Sequence, residues 1–406
     1  MSNSIHQSVL SSFVSRHSNF NPEQYIANTA SDEYDIWNGF CLPMDYGDVA
    51  SEYRAIRESC AMFDVSPMKK YCLRGADAGQ FLDRVLTAPV SQLQTMHSAY
   101  GLLCNEQGYL LDDGIVNKLS DDDYSLFLSE LNLDDHFAQY NDFANLTITI
   151  ETEKQAGLAI QGPRSCEVLQ QFAFDKIEHL EPFELAYYKL AGHSILVGRL
   201  GFTGDLGYEL WFKPAAISAI EDAFLRAEKS LGFAIPGYAL SALQIARIEA
   251  GLIVPGWDTA GTFVNPDNER TPYELTLGWN VKLNREEPFA GKKALAAFKE
   301  SGARYKMKGF RIAEQCKLQD GQCLLAHIDG ATTQVGTLPS VAWHTGEHQW
   351  IGFASLSIDY AMIENAFILI DDRKICCSLC PLPMINLEHR NQVPAPAGGT
   401  ESSGVR

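Results

Sequence analysis

The first three quarters of the chain alternate short apolar runs with segments of helical periodicity. The segment from His97 to Lys118, HSAYGLLCNEQGYLLDDGIVNK, contains two apolar runs joined by NEQG, which predicts a β-hairpin. Before it, ADAGQFLDRVLT spaces Phe81, Leu82 and Val85 like the buried face of a helix. Strands and helices follow one another in small mixed groups without a regular repeat. We therefore expect an α+β fold rather than a doubly wound sheet.

Further along, the pattern changes to strands alone. Residues from about 308 to 390 contain strand-like runs separated by Gly, Asp and Pro turns, which predicts a small all-β domain. The final stretch, NQVPAPAGGTESSGVR, has almost nothing to bury and is expected to be disordered. The predicted division is a flexible N-terminal arm at 1–30, α+β lobes at 31–300, a β domain at 301–390 and a disordered tail at 391–406.

Two acidic residues occupy strand positions that alternation turns toward an apolar face. In GYLLDDGIVNK, Leu111, Asp113 and Ile115 share one face, and Asp112 lies on the opposite face, where we expect it to be solvated. Glu209, in GYELWF, repeats the pattern beside the glycine-rich turn GFTGDLG. A buried charge needs a partner, so each acid either pairs with a base or backbone amides, or belongs to a ligand site. Two such acids beside glycine-rich turns favour a ligand site.

The charge balance excludes some classes of partner. The formal net charge is −19, the isoelectric point is about 4.9 and no basic run occurs, so we expect neither nucleic acid nor an anionic membrane as partner. No apolar run approaches the roughly 18 residues of a membrane span, and the N-terminal segment lacks the apolar core of a signal peptide. Its Ser-rich, acid-poor composition leaves a transit peptide as the alternative to a flexible arm. Ten cysteines without a signal peptide indicate reduced thiols and a cytoplasmic location.

Two motifs have some features of a metal site. HTGEH, from His344 to His348, matches the inverted zinc-protease pattern H-x-x-E-H, but Gly346 interrupts the helix that this chemistry requires, so a loop is favoured. The cysteines of ICCSLC have no second CxxC at finger-like spacing, which favours reduced side chains on a strand. No metal is expected. Nothing marks out a Ser-His-Asp set, so nucleophilic catalysis is not supported.

Several segments together resemble the glycine cleavage system T-protein (aminomethyltransferase) family, which includes tetrahydrofolate-dependent demethylases. They follow the family's order from about residue 35 to 295, and they are specific only as a set. The segments are FDVSPM, NEQGYLLDDGIV, LAIQGP, GFTGDLGYELW, RIEAGL and TPYELTLGWNVKLNREEPFAGKKAL.

The resemblance implies a cloverleaf of mixed α+β folate-binding lobes plus a C-terminal antiparallel β-barrel, with tetrahydrofolate in a central hole. Asp113 matches the second Asp of the family's DD pair, the catalytic acid near the folate nitrogens that accept the one-carbon unit, and Glu209 matches the glutamate that binds the pterin. A carboxylate can accept two parallel N–H bonds from the pterin, and one beside N5 and N10 can stabilise developing positive charge. Three further positions match cavity-lining residues of the family, although the first two are equally typical of an ordinary core: Met68, Tyr100 and Phe202.

The resemblance therefore predicts a tetrahydrofolate-dependent one-carbon transferase that takes a methyl or aminomethyl group from a small donor. A carrier protein is an additional partner if the donor is aminomethyl. Three departures leave the donor open: Leu243 replaces an arginine of the glycine-cleavage branch, Phe202 replaces its tyrosine, and Glu130 replaces its asparagine. Two alternatives remain. One is a non-catalytic folate-binding regulatory protein of the same family, and the other is a zinc hydrolase at HTGEH.

Overall fold

Two five-stranded antiparallel sheets and a small hairpin form the first part of the molecule. The computed structural model describes residues 6–18, 34–129, 132–261 and 266–393. The short apolar and alternating segments of the sequence supply the strands. In chain order these are β1 (Tyr34–Trp37), β2 (Phe40–Pro43), β3 (Ala61–Asp64), β4 (Lys69–Arg74), β5 (His97–Cys104), β6 (Leu110–Ser120), β7 (Asp123–Leu128), β8 (Thr147–Ile150), β9 (Ala156–Gln161), β10 (Leu185–Leu190), β11 (His193–Gly198) and β12 (Gly207–Phe212).

The strand order divides this part of the chain into two lobes. The first lobe has the order β5-β6-β7-β4-β8 and the second has the order β10-β11-β12-β9-β3, while β1 and β2 pair with each other. The sheets meet where β5 approaches β10: the Ser98 amide donates to the Phe183 carbonyl at 2.7 Å and the Leu185 amide donates to the Met96 carbonyl at 2.8 Å. Residues 65–68 connect β3 to β4 and so cross from one lobe to the other.

Helices pack on these sheets through apolar faces. Phe81, Leu82 and Val85, predicted from their spacing, are fully buried against the first lobe. Asp48 caps the helix that follows it by accepting hydrogen bonds from the amides of Ala50 and Ser51. The helices are α1 (Ser11–Val14), α2 (Val49–Glu58), α3 (Ala78–Val85), α4 (Asp134–Tyr140), α5 (Ser165–Gln170), α6 (Ile217–Leu231), α7 (Leu240–Glu249), α8 (Lys292–Ser301) and α9 (Leu387–Arg390).

The C-terminal part closes into a six-stranded antiparallel barrel with the order β13-β16-β15-β14-β17-β18. Pairing of its first strand with both its fourth and its last strand closes the cylinder and leaves no free sheet edge. The predicted α+β class and C-terminal antiparallel β-barrel are confirmed. Across the described ranges, no helix has the length and apolar character needed to cross a membrane. The barrel strands are β13 (Tyr305–Ile312), β14 (Gln322–Ile328), β15 (Ala331–His344), β16 (Gln349–Ser357), β17 (Asn365–Ile370) and β18 (Arg373–Cys380).

The prediction of a flexible arm at 1–30 is wrong for residues 6–18. Leu10, Phe13 and Val14 are buried in the core of the second lobe. Burying three apolar side chains offsets the conformational entropy lost when the segment is ordered. The Ser-rich sequence around them hides this short apolar face, because one helical turn is too short to show a period.

The prediction of a disordered tail at 391–406 is wrong for residues 391–393. Val393 packs against the core of the second lobe, and the backbone carbonyl of Asn391 accepts a hydrogen bond from Arg199 at 2.5 Å. Other predictions lie outside the described residues, namely those for 1–5, 19–30, Glu130 and 394–406.

Candidate functional site

Neighbouring strands of the first lobe bring Tyr100 and Asp113 together. The register pairs Asp113 of β6 with Leu102 of β5, two residues from Tyr100, so all three side chains project from one face. The Tyr100 hydroxyl donates a hydrogen bond to the Asp113 carboxylate. Asp113 is only 9% exposed. Burial raises the pKa of Asp113 to about 7; the Tyr100 hydrogen bond opposes this rise, and the charge of Asp258 adds to it.

The expectation that Asp112 is solvated is wrong. Its side chain is 0% exposed and accepts hydrogen bonds from the Ser129 hydroxyl at 2.8 Å and from the Asp113 amide at 2.9 Å. Alternation places the two acids on opposite faces, but β6 is an inner strand whose two faces are both covered. Asp112 therefore fixes the end of β7 and the backbone of its neighbour.

Glu209 lies in the second lobe, on the central strand β12. The residues opposite it are Ala159 of β9 and Gly198 of β11, so both of its cross-strand neighbours are small. Glu209 is 7% exposed, and burial raises its pKa to about 7, while a hydrogen bond with the Trp211 side chain opposes the rise. In the described part of the chain, no basic side chain pairs with this acid.

Glu249 is a buried acid that is paired with a base, unlike Glu209 and Asp113. Burial also acts to raise the pKa of Glu249, but hydrogen bonds from His344 and Arg57 outweigh it and lower the pKa overall. Arg57 donates to Glu249 at 2.5 Å. As far as the structure describes the chain, Asp113 and Glu209 are both buried without such a base.

The other predicted site residues, Met68 and Phe202, lie in two further segments of the chain. Met68 ends the β3–β4 crossover and packs in one apolar cluster with Trp211 and Tyr238. Phe202 is half-buried in the turn before β12, and its neighbour Thr203 accepts a hydrogen bond from Arg57 through its carbonyl at 2.7 Å. Tyr100 thus contacts a predicted acid directly, whereas Phe202 has no bond to either acid within the described residues.

Trp279 is a feature of the site that sequence reasoning missed. Its ring is 62% exposed and stacks on Tyr100, with the centroids 6.1 Å apart and the planes inclined by 24°. Its neighbour Asn280 donates to the Tyr100 carbonyl at 2.9 Å and accepts from the Thr87 hydroxyl at 2.9 Å. An aromatic residue in the turn-like segment TLGWN was the available signal.

Lys70 is a second missed residue, because nothing local marks it as buried. Its ammonium donates to the carbonyls of Ser66 at 2.6 Å and Met68 at 2.9 Å. Burial lowers the pKa of Lys70 to about 7, and the charge of Asp64 opposes that shift. Lys70 therefore fixes the crossover that presents Met68.

The HTGEH segment is a loop, as the sequence favoured. It joins β15 to β16, and His344 accepts a hydrogen bond from the Glu347 amide at 2.9 Å through Nδ1. Its Nε2 is therefore the protonated nitrogen, and it donates to Glu249 at 3.0 Å. Among the residues that the structure describes, no group of three or more His, Cys, Asp or Glu could hold a metal ion.

Comparison with known proteins gives a consistent result. Residues 22–285 match the family model described as GCVT N-terminal domain. An aminomethyltransferase of Halothermothrix orenii is 29% identical over 86% of this chain and 95% of its own length. An aminomethyltransferase of Lysinibacillus sphaericus is 32% identical over 81% of this chain and 87% of its own length. The crystal structure of glycine cleavage system aminomethyltransferase T from Bartonella henselae has the same fold, with a TM-score of 0.76 and 22% identity over 90% of this chain and 97% of that one.

Proposed function

The chain belongs to the family of the GCVT N-terminal domain, and on that premise we propose that it transfers a one-carbon unit from an aminomethyl donor to tetrahydrofolate. The observation that carries the proposal is the pair of buried acids, Asp113 and Glu209, which no basic side chain neutralises in the described residues. A fold retains unpaired buried carboxyls at a free-energy cost, and a ligand with N–H donors recovers it.

Glu209 suits the recognition of a flat ring that carries adjacent N–H groups. Its carboxylate can accept two parallel hydrogen bonds, and its cross-strand neighbours Ala159 and Gly198 are small. Met68, Trp211 and Tyr238 provide apolar and aromatic surface in the same lobe. These residues would hold the pterin and set its orientation.

Asp113 suits the reacting end of the folate. When bound, the folate supplies the nitrogens that accept the one-carbon unit. The Tyr100 hydroxyl holds the Asp113 carboxylate in one orientation, and its low-polarity surroundings strengthen any charge interaction that it makes. With a pKa of about 7, Asp113 can stabilise positive charge on the transferred carbon or take up a proton near neutral pH.

Leu243 bears on the identity of the one-carbon donor. Leu243 packs with Met44 and Met96 in an apolar cluster rather than presenting a cation to a donor carboxylate. We propose that the donor is an aminomethyl group bound to a carrier protein, because the relatives are aminomethyltransferases. We also propose that the reaction takes place in the cytoplasm. A free methyl donor remains the alternative substrate, for which the apolar cluster is the supporting observation.

The experiment is a binding titration followed by a transfer assay. We expect tetrahydrofolate alone to bind and to raise the melting temperature, because a ligand of the native state stabilises it. A panel of aminomethylated carrier proteins and small methyl donors then identifies the donor through one-carbon-loaded folate detected by mass spectrometry. Absence of folate binding would overturn the proposal, and binding without transfer from any donor would instead support the regulatory alternative.

A further inference from the structure

The β1–β2 hairpin ends in a two-residue turn that reaches into the region between the lobes. Asn38 and Gly39 form this turn with φ values of +50° and +82°, the geometry of the tight turns that suit the twist of a hairpin. Asn is one of the few residues other than Gly that adopts this conformation readily. Its side chain is thereby directed away from the hairpin and is free to bond elsewhere.

The Asn38 side chain connects two segments that are far apart in the sequence. Its amide nitrogen donates to the Pro67 carbonyl at 2.7 Å and to the Ser129 carbonyl at 3.0 Å. The indole N–H of Trp37 donates to the same Ser129 carbonyl at 2.8 Å. One nitrogen therefore fixes the separation of two carbonyl oxygens, one in the lobe crossover and one at the end of β7.

Both segments lead directly to proposed site residues. Pro67 precedes Met68, and on the other side of the same loop Lys70 donates to the Met68 carbonyl at 2.9 Å. Ser129 donates through its hydroxyl to Asp112 at 2.8 Å, and Asp112 in turn accepts from the amide of its neighbour in the DD pair. The hairpin tip thus has short hydrogen-bonded routes to the pterin-facing loop and to the acid-bearing strand.

We propose that Asn38 is a positioning residue of the folate site: its amide sets the spacing between the Met68 loop and the strand end that supports Asp113. This inference rests on the proposed function. Asn38 does not touch the reacting atoms, so its loss should change folate affinity through geometry and leave the chemistry of the acids intact.

The matched pair of variants is Asn38→Gly and Asp329→Gly. Gly keeps the positive φ of the turn and removes only the side chain. Asp329, followed by Gly330, forms the equivalent turn between β14 and β15, with φ values of +51° and +84°, and its side chain is exposed. We expect Asn38→Gly to raise the tetrahydrofolate dissociation constant about tenfold, the size of about one net hydrogen bond, and Asp329→Gly to leave it unchanged.

A second measurement separates positioning from general stability. The Met68 amide donates to the Val65 carbonyl at 3.1 Å within the crossover, so its hydrogen exchange reports the order of this loop. We expect faster exchange at Met68 in Asn38→Gly and no change in Asp329→Gly. If Asn38→Gly does not fold, Trp37→Phe removes one of the two donors to Ser129 and should raise the dissociation constant about threefold.

The outcomes are distinguishable. If the unaltered protein fails to bind tetrahydrofolate, the proposed function is overturned, and this inference with it. If it binds, and neither Asn38→Gly nor Trp37→Phe weakens binding relative to Asp329→Gly, the positioning role alone is overturned.

Discussion

Replacing Glu209 by Gln is expected to stabilise the ligand-free protein while removing most of its affinity for folate. Burial raises the pKa of Glu209 from the ordinary value of 4.5 to about 7. A carboxyl whose pKa is raised in the folded state contributes its full stability below about pH 4.5, and loses it as the pH rises through about 7. The shift corresponds to about 3 kcal/mol at roughly 1.4 kcal/mol per pH unit. Gln has the same shape without the charge and avoids this loss.

The assay is urea unfolding of both proteins without ligand between pH 4.5 and 8. The free energies of unfolding should coincide near pH 4.5, and at pH 8 the variant should exceed the unaltered protein by up to about 3 kcal/mol. Glu249→Gln is the matched control and should lower stability at pH 8, because Glu249 is ion-paired with Arg57 and its pKa is lowered. Glu209 and Glu249 are both buried, and the main difference is that only Glu249 is paired with a base.

In the Glu209→Gln variant, the affinity for folate should fall although the stability of the ligand-free protein rises. Losing a charged hydrogen-bond acceptor costs about 1.5 to 3 kcal/mol, which is about 10-fold to 150-fold in the dissociation constant. The reasoning is refuted if Glu209→Gln is less stable than the unaltered protein at pH 8, since Glu209 would then be a structural acid. An unchanged dissociation constant in the folded variant would refute the pterin assignment.

Three further substitutions test Asp113, Asp112 and the backbone conformation at Thr276, which lies outside the site. Asp113→Asn should lower kcat about 100-fold, far more than it lowers folate affinity, because only interactions stronger in the transition state raise kcat. Asp122→Asn, on the exposed end of the same sheet, should leave both unchanged. Asp112→Asn should reduce the free energy of unfolding in urea by about 1 to 3 kcal/mol, because an amide replaces the carboxyl group that accepts from Ser129; an unchanged value would show that the bond is unimportant. Thr276→Asn should raise the free energy of unfolding by about 0.5 to 1 kcal/mol, because Thr276 has φ +65°, a conformation that a β-branched residue strongly disfavours. A loss of stability would show that the threonine hydroxyl matters more than the backbone strain.

Local periodicity was sufficient to predict much of the fold. Phe81, Leu82 and Val85 are buried on one face of α3 as their spacing indicates, and the run from His97 to Lys118 forms β5 and β6. These predictions succeed because burial of an amphipathic element depends on its own side-chain pattern. The prediction for the segment around Leu10 failed because this segment is too short to show such a pattern.

The site itself was only partly predictable. Alternation correctly turned Asp113 and Glu209 toward buried faces, but it gave no information on what covers the opposite face, and Asp112 was therefore misplaced. Lys70 and Asn38 bond to backbone carbonyls that tertiary folding brings near them. Such partners leave no spacing signal, because a carbonyl belongs to every residue type.

The pH dependence of tetrahydrofolate binding tests the central claim most directly. Asp113 and Glu209 both have pKa values of about 7 in the ligand-free protein, and N–H donors of the ligand favour the ionised carboxylates. Calorimetric titration from about pH 5.5 to 8.5 should therefore show affinity rising through about pH 7, by up to about tenfold per pH unit for each proton released, and levelling off above it. In Glu209→Gln, the number of protons released on binding should fall by one, and the pH dependence of the affinity should be correspondingly weaker. A dissociation constant that stays the same across the range would contradict the account, because binding would then not involve these two acids.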